Sequence, residues 1–294
     1  MTAHRIVTGH ISAVLALLPE ELDTTAARTA GRALPGGWHL EPSGTGLERA
    51  AVEITVGAAG VSADAHTVRV RLPRTAASSD TLAYVTYTAL ERARQQQRKA
   101  TVHATALHAP GGRAVLLLGT KGAGKTSTAL ALAERGWVHA GDDLVVLEGD
   151  EVQAVTVWPG KPTAAIRDPL RPLAPKPQRD LEPFAAGPAR LVWVVRIAIH
   201  PSLATASLTP AKPLSVNERL RLHENLGRYI SGLPTPLSGE GSVPYGPVWP
   251  LDTPALARWR SHLITALGGC RFDYLYASSP ETAADLLAKE ADAR

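Results

Sequence analysis

The chain has 294 residues, 45% hydrophobic and 20% charged, so it is long enough for one large or two modest folded domains and lacks the composition of a disordered protein. Its 31 basic and 27 acidic residues give a formal net charge of +4, too even a balance to indicate a nucleic-acid-binding protein. The single cysteine, Cys270, excludes an intramolecular disulfide, and the sequence has no Cys/His cluster of the zinc-binding type, so we expect a reducing compartment.

The apolar stretch ISAVLALL, residues 11–18, is the first candidate element. Only one basic residue precedes it and PEE follows it, which is not the pattern of a secretion signal. We therefore interpret it as a buried helix or strand. No run of the sequence approaches the roughly 20 apolar residues that a bilayer-spanning helix needs. We expect a cytoplasmic protein with no membrane partner and no nucleic-acid partner.

Two strands and a helix are predicted in the next part of the chain. VEITVGA (residues 52–58) and HTVRVRLP (residues 66–73) alternate apolar and polar side chains, as half-exposed strands do. Residues 78–99 begin with Ser and Asp at cap positions, continue with helical apolar spacing and end in cations, which predicts a helix. We interpret its cations as a solvated face; they are Arg92, Arg94, Arg98 and Lys99. These elements predict an N-terminal α/β accessory domain over residues 1–100, with a role in substrate recognition.

The middle of the chain has the order strand, loop, helix, strand. Residues 101–119 predict two strands joined by a tight turn, residues 125–135 a helix, and residues 137–159 further strands. His103 and His108 lie an odd number of residues apart before the loop, so at most one of them faces it.

The last part of the chain alternates helices and strands again. RLVWVVRIAIH, residues 190–200, is almost continuously apolar, which predicts a strand covered on both faces at the centre of a sheet. Ser215 and Glu218 have the spacing of a capping box at the start of a helix. Further predicted elements are helices over residues 252–268 and 279–293 and a strand over residues 271–277.

A proline-rich segment, residues 160–190, has too many prolines for us to expect regular structure, so we predict a lid or a covering loop. Its cations either form a solvated face or close over phosphates or a carboxylated substrate, and Arg167 is the preferred candidate among them. They are Arg167, Arg171, Lys176 and Arg179.

GTKGAGKT, residues 119–126, matches the spacing G-x-x-x-x-G-K-[ST] of the phosphate-binding loop. Its glycines let successive backbone N–H groups point inward at an anion, and the helix that begins near Gly124 adds the positive end of its dipole. Lys125 would reach the β- and γ-phosphates, and the Thr126 hydroxyl would hold Mg²⁺. The predicted cofactors are therefore ATP and Mg²⁺. The predicted contact residues are Gly119, Thr120, Lys121, Gly122, Ala123, Gly124, Lys125, Thr126 and Ser127.

The acidic pair Asp142 and Asp143 is the candidate for the metal-binding and proton-accepting groups. One helix and one short strand separate it from the loop, so a right-handed parallel crossover would bring its strand beside the strand that enters the loop. One carboxylate could lie near Mg²⁺ and the other accept a proton from an alcohol. We name Thr126 and Asp143 as metal ligands, while the residues alone leave open which aspartate has which role. A solvated turn between two strands is the alternative interpretation.

The stretch VHATALHAPGGRAVLLLGTKGAGKTSTALALAERGWVHAGDD, residues 102–143, resembles the kinase domain of HPr kinase/phosphorylase and its HPr-kinase-like relatives. The shared order is a histidine shortly before the loop, a helix that ends in Arg-Gly, and then an Asp-Asp pair. Here these are His103, Arg135-Gly136 and Asp142-Asp143. The relatives fold like the nucleotide domain of phosphoenolpyruvate carboxykinase. The resemblance implies an α/β P-loop kinase domain over residues 101–294, with His103 close to the phosphates or the metal and one aspartate as the base.

The chain departs from that family in two places. Thr120-Lys121 stands where the family has Asp-Ser or a similar Ser-containing pair, and the downstream glycine-rich signature of the bifunctional enzymes is absent. The resemblance therefore implies a divergent ATP-dependent kinase whose acceptor is a hydroxyl-bearing peptide, protein or small metabolite. Its expected catalytic residues are His103, Lys125, Asp142 and Asp143.

Two other classes of function stay open for the sequence. One is a non-catalytic nucleotide-binding regulator in which ATP orders the proline-rich segment. The other is a carboxykinase-like lyase, for which the sequence shows no further metal-binding or carboxylate-binding residues. The oligomeric state, including a homo-oligomer, is equally open.

Overall fold

The computed structural model describes residues 4–8, 15–16, 38–42, 52–58, 60–73, 80–149, 154–166, 176–230 and 251–293. The chain divides into two compact units. The first comprises Met1–Ala100 and Leu226–Arg260, and the second comprises Thr101–Asn225 and Ser261–Arg294. A substrate-recognition role for residues 1–100 stays a prediction.

The first unit contains two small sheets and a long helix. Strands β1 and β3 form an antiparallel pair, and β2, β4 and β6 run parallel in a second sheet that β5 closes in the antiparallel direction. The predicted strands over residues 52–58 and 66–73 and the predicted helix over residues 78–99 are confirmed. The elements are β1 (His4–Thr8), β2 (Leu15–Ala16), β3 (Trp38–Pro42), β4 (Val52–Val56), β5 (Gly60–Ala63), β6 (Val68–Leu72) and α1 (Asp80–Gln96). Of the predicted apolar element at residues 11–18, only β2 lies within the described residues.

Helix α1 carries buried charges, so the prediction of a solvated basic face is wrong for two of its arginines. Arg94 is 1% exposed and donates a hydrogen bond to Glu91 at 2.8 Å. Arg92 is 7% exposed and donates to the backbone carbonyl of Asp64 at 2.6 Å. Spacing alone could not distinguish Arg92 from the exposed Arg98, because its partner, the Asp64 carbonyl, lies 28 residues away in the sequence.

The second unit is built on a strongly curled sheet of nine strands. The path runs β10-β8-β9-β15-β12-β11-β7, and β17 and β16 continue it from β15. The long strand β15 pairs in parallel with β9 on one side. On its other side, the start of β15 pairs antiparallel with β12, and the rest of β15 pairs in parallel with β17. The strands are β7 (Lys99–Val102), β8 (Thr105–His108), β9 (Ala114–Leu118), β10 (Val138–Gly141), β11 (Val145–Gly149), β12 (Val155–Trp158), β15 (Ala189–Ile199), β16 (Ser207–Pro210) and β17 (Arg271–Ala277). The predicted central position of residues 190–200 is confirmed.

Four helices lie in the described part of the chain after β9. Helices α2 and α5 pack on one face, where side chains such as Leu117, Leu132, Val195 and Leu287 form a buried apolar core. The helices of this part of the chain are α2 (Lys125–Ala133), α3 (Val216–Gly227), α4 (Pro254–Gly269) and α5 (Pro280–Asp292), so each predicted helix is confirmed. Across the described residues, no helix is both long enough and apolar enough to cross a membrane.

The proline-rich segment is partly regular, which corrects the expectation that prolines exclude secondary structure there. Strands β13 (Thr163–Ala165) and β14 (Gln178–Asp180) pair antiparallel. Lys176 and Arg179 are exposed on the described part of the segment. The preferred candidate, Arg167, and its neighbour Arg171 lie outside the described residues.

The strand that leads into the acidic pair does not lie beside the strand that enters the loop. Strand β10 pairs antiparallel with β8, and β8 pairs antiparallel with β9, so β8 lies between the two. The predicted adjacency is therefore wrong, although β10 and β9 do run in the same direction. The reason is the tight β8–β9 hairpin, which occupies one edge of β9 while β15 occupies the other.

Candidate functional site

The motif loop, residues 119–126, connects the end of β9 to the start of α2 and lies tightly against β15. Gly122 and Gly124 have φ angles of 85° and 93°, in the left-handed region that favours glycine. A Cβ on Gly124 would lie 2.9 Å from Cβ of Ile199 and closer still to Cγ1. A Cβ on Gly119 would lie 2.9 Å from the carbonyl oxygen of Ile197. The glycine at position 124 is thus required both by its backbone angle and by the close approach of β15.

Lys125 lies beneath this loop with only 6% of its surface exposed. Its ammonium group donates hydrogen bonds to the carbonyl oxygens of Gly119 at 3.0 Å and Thr120 at 3.1 Å. Burial lowers the pKa of Lys125, while the negative charges of Asp143 and Asp142 act in the opposite direction. An anion in the loop would offer this ammonium group a charged partner in place of two neutral carbonyls, which is the stronger hydrogen bond.

Asp142 is buried directly beside the first turn of α2. Its carboxylate accepts a hydrogen bond from the Thr126 hydroxyl at 3.0 Å to each oxygen, and from the Thr105 hydroxyl at 2.6 Å. Burial, followed by the charge of Asp143, raises the pKa of Asp142 above its usual range. The sequence predicts Asp143 as the metal-binding partner of Thr126, whereas the structure brings Asp142 to that hydroxyl.

Asp143 faces a different set of groups and is the more accessible of the two aspartates. Its side chain is 32% exposed, and its backbone has a φ of 62°, which is uncommon for a residue other than glycine. The Nε2 atom of His103 lies 3.7 Å from Oδ1, and Nζ of Lys161 lies 3.8 Å from Oδ2. The His103 side chain most strongly lowers the pKa of Asp143, and Lys161 lowers it further against an opposing effect of burial. Asp143 is therefore an ionised carboxylate with an open side.

His103 owes its position to a side chain on helix α3. The Asn225 amide accepts a hydrogen bond from the His103 backbone N–H at 2.8 Å and donates one to its carbonyl at 3.2 Å. This pair of bonds fixes the chain in the short interval between β7 and β8, where His103 reaches Asp143. His108 lies at the other end of β8, opposite Val138.

Three residues that contact this group are not predicted from the sequence: Thr105, Lys161 and Asn225. Thr105 begins β8 two residues after His103, and this closeness in the sequence is the signal that could have suggested it. Lys161 stands in the segment Pro-Gly-Lys-Pro, whose composition indicates a constrained backbone but does not point to a chemical role for the lysine. Asn225 gives no local signal, because its contact spans 122 residues of sequence.

The remaining predicted loop residues surround this group without touching the aspartates. Thr120, Lys121, Gly122 and Ser127 are exposed at the mouth of the loop, and Ala123 is half-buried. The structure therefore brings together His103, Lys125, Thr126 and the two aspartates, and leaves Lys121 on the surface.

The donor set fits a hard divalent cation that is shared with a phosphate. Thr126 and Asp142 offer a hydroxyl and a carboxylate that already touch, and Mg²⁺ is usually held by one or two such protein oxygens together with phosphate and water oxygens. Within the described ranges, no three His, Cys, Asp or Glu side chains are grouped so as to hold a metal ion by themselves. The residues thus suit a cation that arrives with a nucleotide better than a resident metal.

Comparisons with known proteins found similar chains among the solved structures. No protein-family model matches the sequence, and no curated protein matches it. Among solved structures, the HPr(Ser) kinase/phosphatase from Coxiella burnetii is similar at 18% sequence identity, with a TM-score of 0.29, over 39% of this chain and 72% of that one. Membership of the HPr kinase family stays a prediction.

Proposed function

We propose that this chain is an ATP-dependent kinase that transfers the γ-phosphoryl group to a hydroxyl group of a peptide, protein or small metabolite. The observation that carries the proposal is the contact of Thr126 with Asp142 beside a buried Lys125, with a second, accessible carboxylate next to them. A phosphate-binding loop, a metal-binding pair and a base are the three parts that phosphoryl transfer requires.

The two aspartates divide the work according to their exposure. Asp142 is 2% exposed and surrounded by hydroxyl donors, so an acceptor substrate cannot reach it. Together with Thr126 it would hold Mg²⁺, which would supply positive charge to stabilise the phosphate groups. Asp143 is accessible and would accept the proton of the incoming hydroxyl. We thus propose Asp142 as the metal-binding aspartate, whereas the sequence predicts Asp143 in that role.

Lys125 and His103 support the transfer from opposite sides. The Lys125 ammonium would exchange the two loop carbonyls for phosphate oxygens and spread the charge of the transferring group. His103 orients Asp143 from the Oδ1 side. General-base catalysis of this kind contributes about 10²–10⁴-fold to a rate.

Incubation with Mg²⁺ and [γ-³²P]ATP tests the proposal against a panel of peptides and small alcohols. We expect a labelled adduct with the wild type and none with Lys125→Ala. Asp143→Asn should bind ATP as the wild type does, yet lose about 10²–10⁴-fold in kcat. Full activity of Asp143→Asn would contradict its role as the base. ATP that binds but is never consumed would favour the nucleotide-binding regulator.

A further inference from the structure

Lys161 is a buried lysine whose ammonium group lies beside the accessible aspartate, outside the loop motif. It is 6% exposed, and its Nζ atom lies 3.8 Å from Oδ2 of Asp143. Removing an ammonium group from water costs free energy unless an opposite charge compensates it. Because its lysine is buried, this pair differs from a surface ion pair in which both side chains are solvated.

The backbone around Lys161 is tied to the acidic turn from both directions. The Lys161 N–H donates to the carbonyl of Leu144 at 2.8 Å, and the Asp142 N–H donates to the carbonyl of Lys161 at 3.1 Å. The Gly160 N–H donates to the carbonyl of Ala140 at 2.6 Å, and any Cβ at position 160 would overlap the Leu144 carbonyl oxygen. Position 160 must be glycine for this approach, so the chain presents Lys161 at a fixed place beside Asp143.

Asp143 is thus held at both of its carboxylate oxygens. His103 lies on the Oδ1 side at 3.7 Å and Lys161 on the Oδ2 side at 3.8 Å. Both distances exceed an ordinary hydrogen bond, so the two nitrogens flank the carboxylate without bonding it directly, and Lys161 acts on it as an opposite charge. The exposed third of the side chain remains open to a substrate.

We propose that Lys161 is a positioning residue for phosphoryl transfer, which holds the Asp143 carboxylate in the orientation that accepts the proton of the acceptor hydroxyl. This inference rests on the proposed function. In the step, the acceptor O–H bond breaks and its proton passes to Asp143, the acceptor oxygen bonds to the γ-phosphorus, and the bond from that phosphorus to ADP breaks as ADP leaves. Lys161 remains an ammonium ion throughout and acts only through Asp143.

The test compares Lys161→Met and Lys161→Arg with the wild type, and uses Lys289→Met on α5 as the matched control because Lys289 is exposed. We expect Lys161→Met to lose about tenfold to a hundredfold in kcat, as misplacement of a reacting group does. KM for ATP and the Kd of Mg·ATP should not change. Lys161→Arg, which keeps the charge, should recover part of kcat, and Lys289→Met should behave as the wild type.

Two results would overturn the inference while the proposed function stands. One is wild-type kcat in Lys161→Met, and the other is a rise in the Kd of Mg·ATP, which would place Lys161 on the nucleotide instead. Circular dichroism checks the fold, and Lys161→Gln replaces the Met variant with the same expectations if that variant does not fold. A wild-type protein that binds Mg·ATP but transfers phosphate to no acceptor would instead overturn the proposed function, and this inference with it.

Discussion

Substitution of Gly124 by alanine is the most direct test of how the motif loop is built. Two separate costs follow from the structure. The φ of 93° is left-handed, which costs a residue with a Cβ about 1–2 kcal/mol. The new Cβ would also lie 2.9 Å from Cβ of Ile199 and closer to Cγ1, and overpacking of this kind costs about 1–3 kcal/mol. We therefore expect Gly124→Ala to lower the free energy of unfolding by about 2–5 kcal/mol.

Gly122→Ala is the matched control for this prediction. Gly122 has a similar φ of 85°, but no atom lies within 4 Å of where its Cβ would be. Only the backbone cost of about 1–2 kcal/mol should then remain. Urea unfolding followed by circular dichroism gives both values on the same protein.

The steric contribution to the cost of Gly124→Ala can be isolated with a second substitution, at Ile199. Ile199→Ala removes Cγ1 but keeps Cβ, so it relieves part of the steric cost of about 1–3 kcal/mol, and the double variant with Gly124→Ala should lose less than the sum of the single variants. A Gly124→Ala variant as mild as Gly122→Ala, or simple additivity of the substitutions at positions 124 and 199, would contradict this prediction.

Two further predictions concern the residues that support the aspartates. Thr105→Val removes the 2.6 Å hydrogen bond to the buried Asp142, so we expect a loss of about 1–3 kcal/mol in the free energy of unfolding. Thr105→Ser keeps the hydroxyl and should retain most of the stability. Equal losses in the two variants would contradict the role of this hydroxyl. Asn225→Ala removes the hydrogen bonds to both backbone groups of His103, so kcat for phosphoryl transfer should fall while the Kd of Mg·ATP stays constant. An unaltered kcat would show that His103 keeps its place without the Asn225 amide.

The regular elements could be predicted because their signals are local. The spacing of apolar residues and the capping residues predict α1, α2 and α5, and the apolar run over residues 190–200 predicts the central strand β15. Ser279, for example, accepts a hydrogen bond from the Thr282 backbone N–H at 3.2 Å, as its position before Pro280 suggests.

The order of the strands could not be predicted, because it depends on which edges are already occupied. The sequence gives no sign that the β8–β9 hairpin would separate β10 from β9. The burial of Arg92 was also not predictable, since the carbonyl to which it donates belongs to Asp64, 28 residues away in the sequence.

The sequence indicated the loop residues and the acidic pair of the candidate site, but not how their side chains pair or which further residues contact them. The motif and the acidic pair supply Lys125, Thr126, Asp142 and Asp143, but two adjacent aspartates look equivalent in a sequence. Their difference arises from tertiary structure, in which Thr105 and Thr126 bond one carboxylate while Lys161 approaches the other. Both aspartates therefore had to be placed in three dimensions before roles could be proposed.

We propose that Thr126 and Asp142 hold a magnesium ion shared with a triphosphate in the motif loop. Calorimetric titration of ATP into wild type and Asp142→Asn, each with Mg²⁺ and with EDTA, tests this most directly. We expect Mg²⁺ to strengthen ATP binding to the wild type by about tenfold or more, equivalent to about 1.4 kcal/mol, and this gain to disappear in Asp142→Asn. ATP that does not bind the wild type, or a magnesium effect of equal size in both proteins, would contradict it.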